Sequence, residues 1–280
     1  MEKIQAALEK ARASRNMAAP PEILPKFSVI PDGEPSMPDP AMAWAALQPC
    51  LPDAARLIKH RVVTFASGAK AVPFDMMRTK VIQQMRANGW RRLAITSPTP
   101  DCGKSTIALN LAFSLARQTE LRTILAEIDL RRPTLAATLG LTASLHNRPG
   151  FASVLQDRAG FADSALRYGT GLALALNDGP VHNPAELLHG NSVAPALAAI
   201  EQRYAPDLML FDMPPMLVSD DVMGFMGQVD AVLLVAAAET TTTKEIDACE
   251  RELAGQTNVM GVVLNKCHFM GREYGYSYYG

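Results

Sequence analysis

The sequence predicts an α/β protein in three layers, a mainly parallel central sheet with helices on both faces. Two observations predict it. From about residue 70 onward, short apolar runs alternate with stretches of helical periodicity, as parallel strands joined by crossover helices require. In addition, Ser97–Thr106 ends in Gly103-Lys104-Ser105-Thr106 between an apolar strand pattern and a helical one. That is the place of a phosphate-binding loop at a helix N-terminus.

The elements follow in order. Ile4, Ala7, Leu8 and Ala11 have the spacing of a short amphipathic helix over residues 1–15. Nine of the 20 prolines lie between Pro20 and Pro52, a density that predicts an extended linker. The domain boundaries expected are thus 1–60 for helix and linker, 61–270 for the folded domain, and 271–280 for a flexible tail. Phe74, Met77, Val81, Ile82 and Met85 make a helical face behind Pro73, Arg92–Thr96 reads as a strand and Ser105–Gln118 as a helix. Further strands are expected at Thr123–Ile128, Leu172–Leu176, Leu208–Asp212, Ala231–Ala236 and Met260–Leu264. Asn183-Pro184 reads as an N-cap followed by proline at the first helical position.

Composition limits the function. The chain has 280 residues, 48% hydrophobic and 20% charged, which fits a soluble globular protein. A net charge of −1 gives no general attraction to nucleic acid. The longest apolar run, Ala231–Ala238, is far shorter than the roughly 20 residues of a membrane span. The charged start MEKIQAALEKARASR lacks a signal-peptide core, so a cytoplasmic protein is expected. Cys50, Cys102, Cys249 and Cys267 read as reduced thiols, and the five histidines show no metal-ligand spacing.

Four segments carry chemistry. In the first, Pro100, Asp101, Cys102, Gly103, Lys104, Ser105 and Thr106 aim backbone N–H groups at a phosphate. Lys104 would neutralise phosphate charge and Ser105 would ligate Mg²⁺. In the second, Glu127 and Asp129 end the strand of Ile124–Pro133 (ILAEIDLRRP), where open α/β sheets bind ligands. In the third, Leu208-Met209-Leu210-Phe211-Asp212-Met213-Pro214-Pro215 delivers Asp212 at a strand end, the arrangement that holds Mg²⁺ directly or through water. Asn265-Lys266-Cys267-His268 has His268 where guanine recognition needs an aspartate. ATP is therefore favoured, with Asn265 as an adenine contact or as a strand-end cap. In the fourth, Tyr274, Tyr276, Tyr278 and Tyr279 place four of the six tyrosines in the last seven residues. They read either as phosphoryl acceptors on a mobile tail or as an aromatic tail packed on a surface.

PDCGKST (100–106), EIDLRRP (127–133), DMPP (212–215), NPAELL (183–188) and the tyrosine tail together resemble the bacterial tyrosine kinases, the P-loop kinases of capsular and exopolysaccharide synthesis. The resemblance covers about residues 70–280 in the family's order. It implies ATP- and Mg²⁺-dependent autophosphorylation of the tail tyrosines, mostly between neighbouring subunits, in a homo-oligomer with tail-to-site contacts. It also implies a membrane-bound polysaccharide chain-length regulator as activator, a cognate tyrosine phosphatase, and a place at the inner face of the plasma membrane. By motif position Lys104 would bind phosphates, Ser105, Asp129 and Asp212 would organise Mg²⁺, and Glu127 would stand where the family's hydroxyl-activating aspartate does.

Some positions depart from the family. Glu127 is one methylene longer than aspartate, Asp101 replaces a glycine, and Cys102, a thiol at a helix N-terminus, replaces a glutamate. The family's ExxRxxR oligomerisation motif aligns with 72–78, where Arg78 alone matches. Two functions are therefore weighed: an autophosphorylating tyrosine kinase of polysaccharide export, and a catalytically weak ATP-binding regulator of the same machinery. A partition-type positioning ATPase would need a lysine where Thr99 stands.

Overall fold

The computed structural model describes residues 39–267. The chain opens with helix α1 (Pro40–Ala46), the short strand β1 (Gln48–Pro49) and helix α2 (Ala54–Lys59). Helix α3 (Val72–Asn88) leads to β2 (Arg92–Thr96), α4 (Lys104–Ala116) and β3 (Thr123–Glu127). Short helices α5 (Leu135–Leu139), α6 (Thr142–Leu145), α7 (Phe151–Leu155) and α8 (Phe161–Ser164) precede β4 (Leu166–Tyr168) and β5 (Leu172–Ala175). Then come α9 (Pro184–Leu188), α10 (Val193–Tyr204), β6 (Leu208–Asp212), α11 (Asp221–Met226), β7 (Ala231–Ala237), α12 (Thr243–Ala254) and β8 (Asn258–Asn265).

The strands form one sheet in the order β1-β4-β5-β3-β6-β2-β7-β8. Every pair is parallel except β4 with β5. Period-2 alternation sorts the strand residues onto two apolar layers. Leu93, Ile95, Leu125, Leu210 and Leu233 join the layer of α3, α4 and α5. Ala94, Ala126, Phe211, Val232 and Leu234 join that of α7, α10, α11 and α12. Both faces are thus covered, which is why β3, β6 and β7 are buried at every residue. The three-layer α/β expectation holds.

The helices end where their sequences dictate. Gly89, at φ +67°, closes α3 in the left-handed conformation that glycine adopts without steric cost. The Thr242 side chain and Glu245 close a reciprocal capping box on α12. Pro184 occupies the start of α9 as expected, but Asn183 adopts a left-handed conformation and makes no side-chain cap. Arg78 donates to Asp75 Oδ1 (3.2 Å) and to the Ser114 carbonyl (3.0 Å), so it ties α3 to α4.

Residues 39–60 correct the expected linker. Proline density there does not prevent folding, because each proline occupies a position that needs no amide hydrogen. Pro40 is the first residue of α1 behind the N-cap Asp39, and Pro49 lies on the edge strand β1. Pro52 precedes Asp53, the N-cap of α2, whose side chain accepts from the amides of Ala55 and Arg56. β1 pairs with β4, and Trp44 is buried with its Nε1 donating to the Tyr204 carbonyl at 2.6 Å. The helix expected over residues 1–15 and the rest of the linker lie outside the described residues, as does the tail from residue 268.

If residues 39–60 belong to the folded unit, Trp44→Ala will lower stability in urea unfolding by about 3–5 kcal/mol. A linker tryptophan would give no measurable change.

Candidate active site at the strand ends

Strand order creates the site. β6 lies between β2 and β3, with Asp212 in register with Ile95 on one side and Glu127 on the other. Three chain segments therefore leave the sheet side by side at its C-terminal edge, where open α/β sheets bind ligands. The Asp212 carbonyl accepts from the amides of Ile128 (2.8 Å) and Asp129 (3.0 Å), prolonging the β3–β6 pairing past the strand. On the other side Met213 N donates to Ile95 O (3.0 Å), Met216 N to Ser97 O (2.8 Å) and Thr96 Oγ1 to Pro214 O (2.6 Å).

Residues 97–103 connect β2 to α4, with Lys104 as the first helical residue. Gly103 has φ +91°, and a Cβ there would collide with Asn265 Nδ2, so the loop requires glycine. Asp101 also has a positive φ, +62°, a strained conformation for a residue with a side chain. Asn265 Nδ2 donates to the Cys102 carbonyl at 2.9 Å, tying the end of β8 to the loop.

Lys104 Nζ donates to Asp129 Oδ2 at 2.8 Å and lies 3.5 Å from Ser105 Oγ. Burial alone would depress the ammonium, but the charges of Asp212, Asp129 and Glu127 outweigh it and raise the Lys104 pKa. Asp212 is only 1% exposed, and no donor reaches full hydrogen-bond geometry at either carboxylate oxygen, although the Ser105 hydroxyl is close enough to act on the group. Burial raises its pKa, against the pull of the Lys104 charge and the Ser105 hydroxyl.

Glu127 stands differently from its sequence expectation. It is fully buried, with Oε1 accepting from the amides of Thr134 (2.7 Å) and Leu135 (2.8 Å) and Oε2 from that of Asn177 (3.0 Å). Its carboxylate thus sits in a ring of backbone donors and not on the cavity wall. Burial drives its pKa up to about 7, with Asp212 adding to the rise and the amides opposing it.

A cavity of about 480 Å³ opens over these groups. Pro100, Asp101, Gly103, Lys104, Ser105, Thr106 and Asp129 line it, whereas Cys102, Glu127, Asp212 and Asn265 do not. Cys102 is buried against Thr99 Oγ1 (3.6 Å) and Thr241 Oγ1 (3.5 Å). Burial works against its thiolate, but these hydroxyls prevail and bring the thiol pKa below its ordinary value. Tyr274, Tyr276, Tyr278 and Tyr279 lie outside the described residues.

The sequence reading missed several contributors. His60, Arg131 and Arg132 line the cavity. Arg131 binds the buried Asp221 through Nε (2.5 Å) and Nη2 (3.0 Å). Asn177 closes on Glu127 twice, its Nδ2 donating to the Glu127 carbonyl at 3.1 Å. Arg131 stood in plain sight in the DLRRP motif. His60 was hidden by the assignment of its segment to a linker, and Asn177 by the lack of any local motif.

Glu127 generates a pH dependence in the metal-free, nucleotide-free protein. Its folded pKa of about 7 lies above the ordinary 4.5, so between these values the folded state binds more protons than the unfolded one. The Glu127 contribution to stability should therefore be largest below pH 4.5, fall as the pH rises to 7, and level off above. Urea unfolding across pH 4–8 in EDTA, parent minus Glu127→Gln, will show that slope.

The chain is similar to known proteins over most of the described residues. A model of the CobQ/CobB/MinD/ParA nucleotide binding domain matches residues 93–269. The tyrosine-protein kinase YwqD of Bacillus subtilis (strain 168) is 30% identical over 193 residues, covering 68% of this chain and 78% of that protein. The putative tyrosine-protein kinase EpsB of Ralstonia nicotianae is 30% identical over 222 residues, covering 76% of this chain but 29% of the longer relative. The crystal structure of the chimerical protein CapA2B2 superposes with a TM-score of 0.65 at 25% identity, covering 79% of this chain and 94% of that one. The chain belongs to the CobQ/CobB/MinD/ParA nucleotide-binding family and, within it, to the bacterial tyrosine-protein kinases of the P-loop type.

Proposed function

We propose that this chain is an ATP-dependent tyrosine autokinase that phosphorylates its own C-terminal cluster, Tyr274, Tyr276, Tyr278 and Tyr279, and thereby regulates exopolysaccharide or capsule polymerisation and export. The observation that carries the reading is the Lys104 ammonium held among Asp129, Asp212 and Glu127 beside a cavity walled by residues 100–106. The amides at the start of α4 and the Lys104 charge bind the β- and γ-phosphates of ATP. Ser105, Asp129 and Asp212 offer the hard oxygen donors that Mg²⁺ takes, and the orphaned carboxylate oxygens of Asp212 fit such an ion. Bound there, Mg²⁺ would neutralise phosphate charge during transfer. The phenolic oxygen forms the new bond to the γ-phosphorus as the bond to the bridging oxygen breaks. ADP leaves with the electron pair, and the phenolic proton is released to solvent through the open cavity.

The activator in this reading is a membrane-bound polysaccharide chain-length regulator. The active form is a homo-oligomer in which one tail meets a neighbour's site, and a cognate tyrosine phosphatase reverses the reaction. The protein works in the cytoplasm at the membrane through its partner. No helix among the described residues is long and apolar enough to cross a membrane, which agrees with attachment through another protein.

A second reading has its own observation. Glu127 is clamped by three backbone amides and does not line the cavity, which favours an ATP-binding regulator with weak transfer activity.

Incubation of the purified chain with Mg-ATP and the partner's cytoplasmic segment, followed by phosphotyrosine detection, separates the two. The kinase reading expects signal that falls by about 10²–10³-fold in Lys104→Met and disappears on deletion of residues 274–280. Signal that persists in Lys104→Met contradicts it. ATP binding without phosphotyrosine in the parent favours the regulator.

A further inference from the structure

His60 sits between two anchored flanks. On its N-terminal side α2 is bound to the end of α5, with Asp53 N donating to Leu139 O at 2.9 Å and Arg56 Nη1 to Ala137 O at 2.9 Å. Gly140, at φ +73°, brings the two helices into close contact, because a Cβ there would lie 2.8 Å from Asp53 Cβ. On the other side Asn110 of α4, fully buried, clamps residues 61–64. Its Nδ2 donates to Arg61 O (3.0 Å), its Oδ1 accepts from Val63 N (2.8 Å), and its carbonyl accepts from Thr64 Oγ1 (2.7 Å). The backbone at His60 is thus held by α4 and α5, the two helices that also wall the phosphate cavity.

What this mount carries is exposed and lines that cavity, together with Thr134 and Thr138. The imidazole has no hydrogen-bond partner among the described residues. It offers an N–H donor whether or not it is protonated. Strand order places it. The phosphate loop follows β2, and α5 follows β3 on one side of it in the sheet, whereas β8 with Asn265 lies on the other. His60 therefore enters from the side of Asp129, the carboxylate that pairs with Lys104. That is the end of the cavity where a terminal phosphate meets the lysine.

We propose that His60 donates a hydrogen bond to the terminal phosphate of the bound nucleotide, so that segment 39–60 completes the cavity that Lys104 and the loop amides begin. A donor on a rigid support gives more selectivity than one on a free loop, since little motion remains to be frozen on binding. This contact presupposes Mg-ATP in the phosphate cavity and is independent of what the tail does.

The test is calorimetric titration of the full chain in Mg²⁺ with ADP and with a non-hydrolysable ATP analogue. His60→Ala should bind the analogue about tenfold more weakly than the parent, since a hydrogen bond to a charged group is lost. ADP should stay within about twofold, which also shows that the variant has kept its fold. His60→Gln keeps an N–H donor and should recover the analogue to within about threefold of the parent. Lys59→Ala removes an exposed charge one residue away that does not line the cavity, and should change neither affinity. Arg56→Ala loosens α2 from α5. It should show part of the analogue-specific loss and add nothing in the His60→Ala background. An equal loss toward ADP and the analogue, no loss toward the analogue, or the same loss in Lys59→Ala would overturn the proposal. A parent that binds neither nucleotide would sink it together with the nucleotide reading of the site. Analogue-specific loss in His60→Ala, with no phosphotyrosine from the parent, would leave the contact standing and count against the kinase reading alone.

Discussion

A half-buried lysine among three carboxylates is the interaction on which this site depends. Lys104 Nζ sits 2.8 Å from Asp129 and under the charges of Asp212 and Glu127. One ammonium cannot neutralise three carboxylates. Burial raises the Glu127 pKa to about 7 and lifts that of Asp212 as well. Asp212 keeps two carboxylate oxygens without a donor at full hydrogen-bond geometry, an expensive condition inside a protein. Such a cluster suits a second cation, and a Mg-nucleotide brings one along with the phosphates that Lys104 can turn to.

The cluster exists because of strand order. Placing β6 between β2 and β3 sets Asp212 in register with Ile95 and Glu127 at one edge of the sheet. The loop that follows β6 is then stitched to residues 95–98 by backbone bonds from Met213, Met216 and Leu217. Lys104, the carboxylates around it and the 213–217 segment thus form one unit, although more than 100 residues separate Lys104 from Asp212.

Much of this was legible in sequence, because each motif sits on a local pattern. Gly-Lys-Ser-Thr opens a helix, Glu127 and Asp129 end a strand, and Asp212 ends another. What was not legible is what depends on contacts far apart in the chain. The strands β1 and β4 have two and three residues, too short for any periodicity, and they exist because each pairs across the sheet. Trp44 packs against Tyr204, 160 residues away, so proline counting alone made its segment a linker. Glu127 was read by its place in a motif. Its role is set by three amides from Thr134, Leu135 and Asn177, which no spacing rule identifies.

Isothermal titration of ADP into the parent chain and Asp212→Ala, each with and without Mg²⁺, tests the charge cluster most directly. The account expects Mg²⁺ to strengthen binding to the parent. It expects Asp212→Ala to lose that strengthening while binding metal-free ADP at least as well, because a buried negative charge near the phosphates has been removed. An Asp212→Ala protein that keeps the full Mg²⁺ dependence of the parent would contradict it.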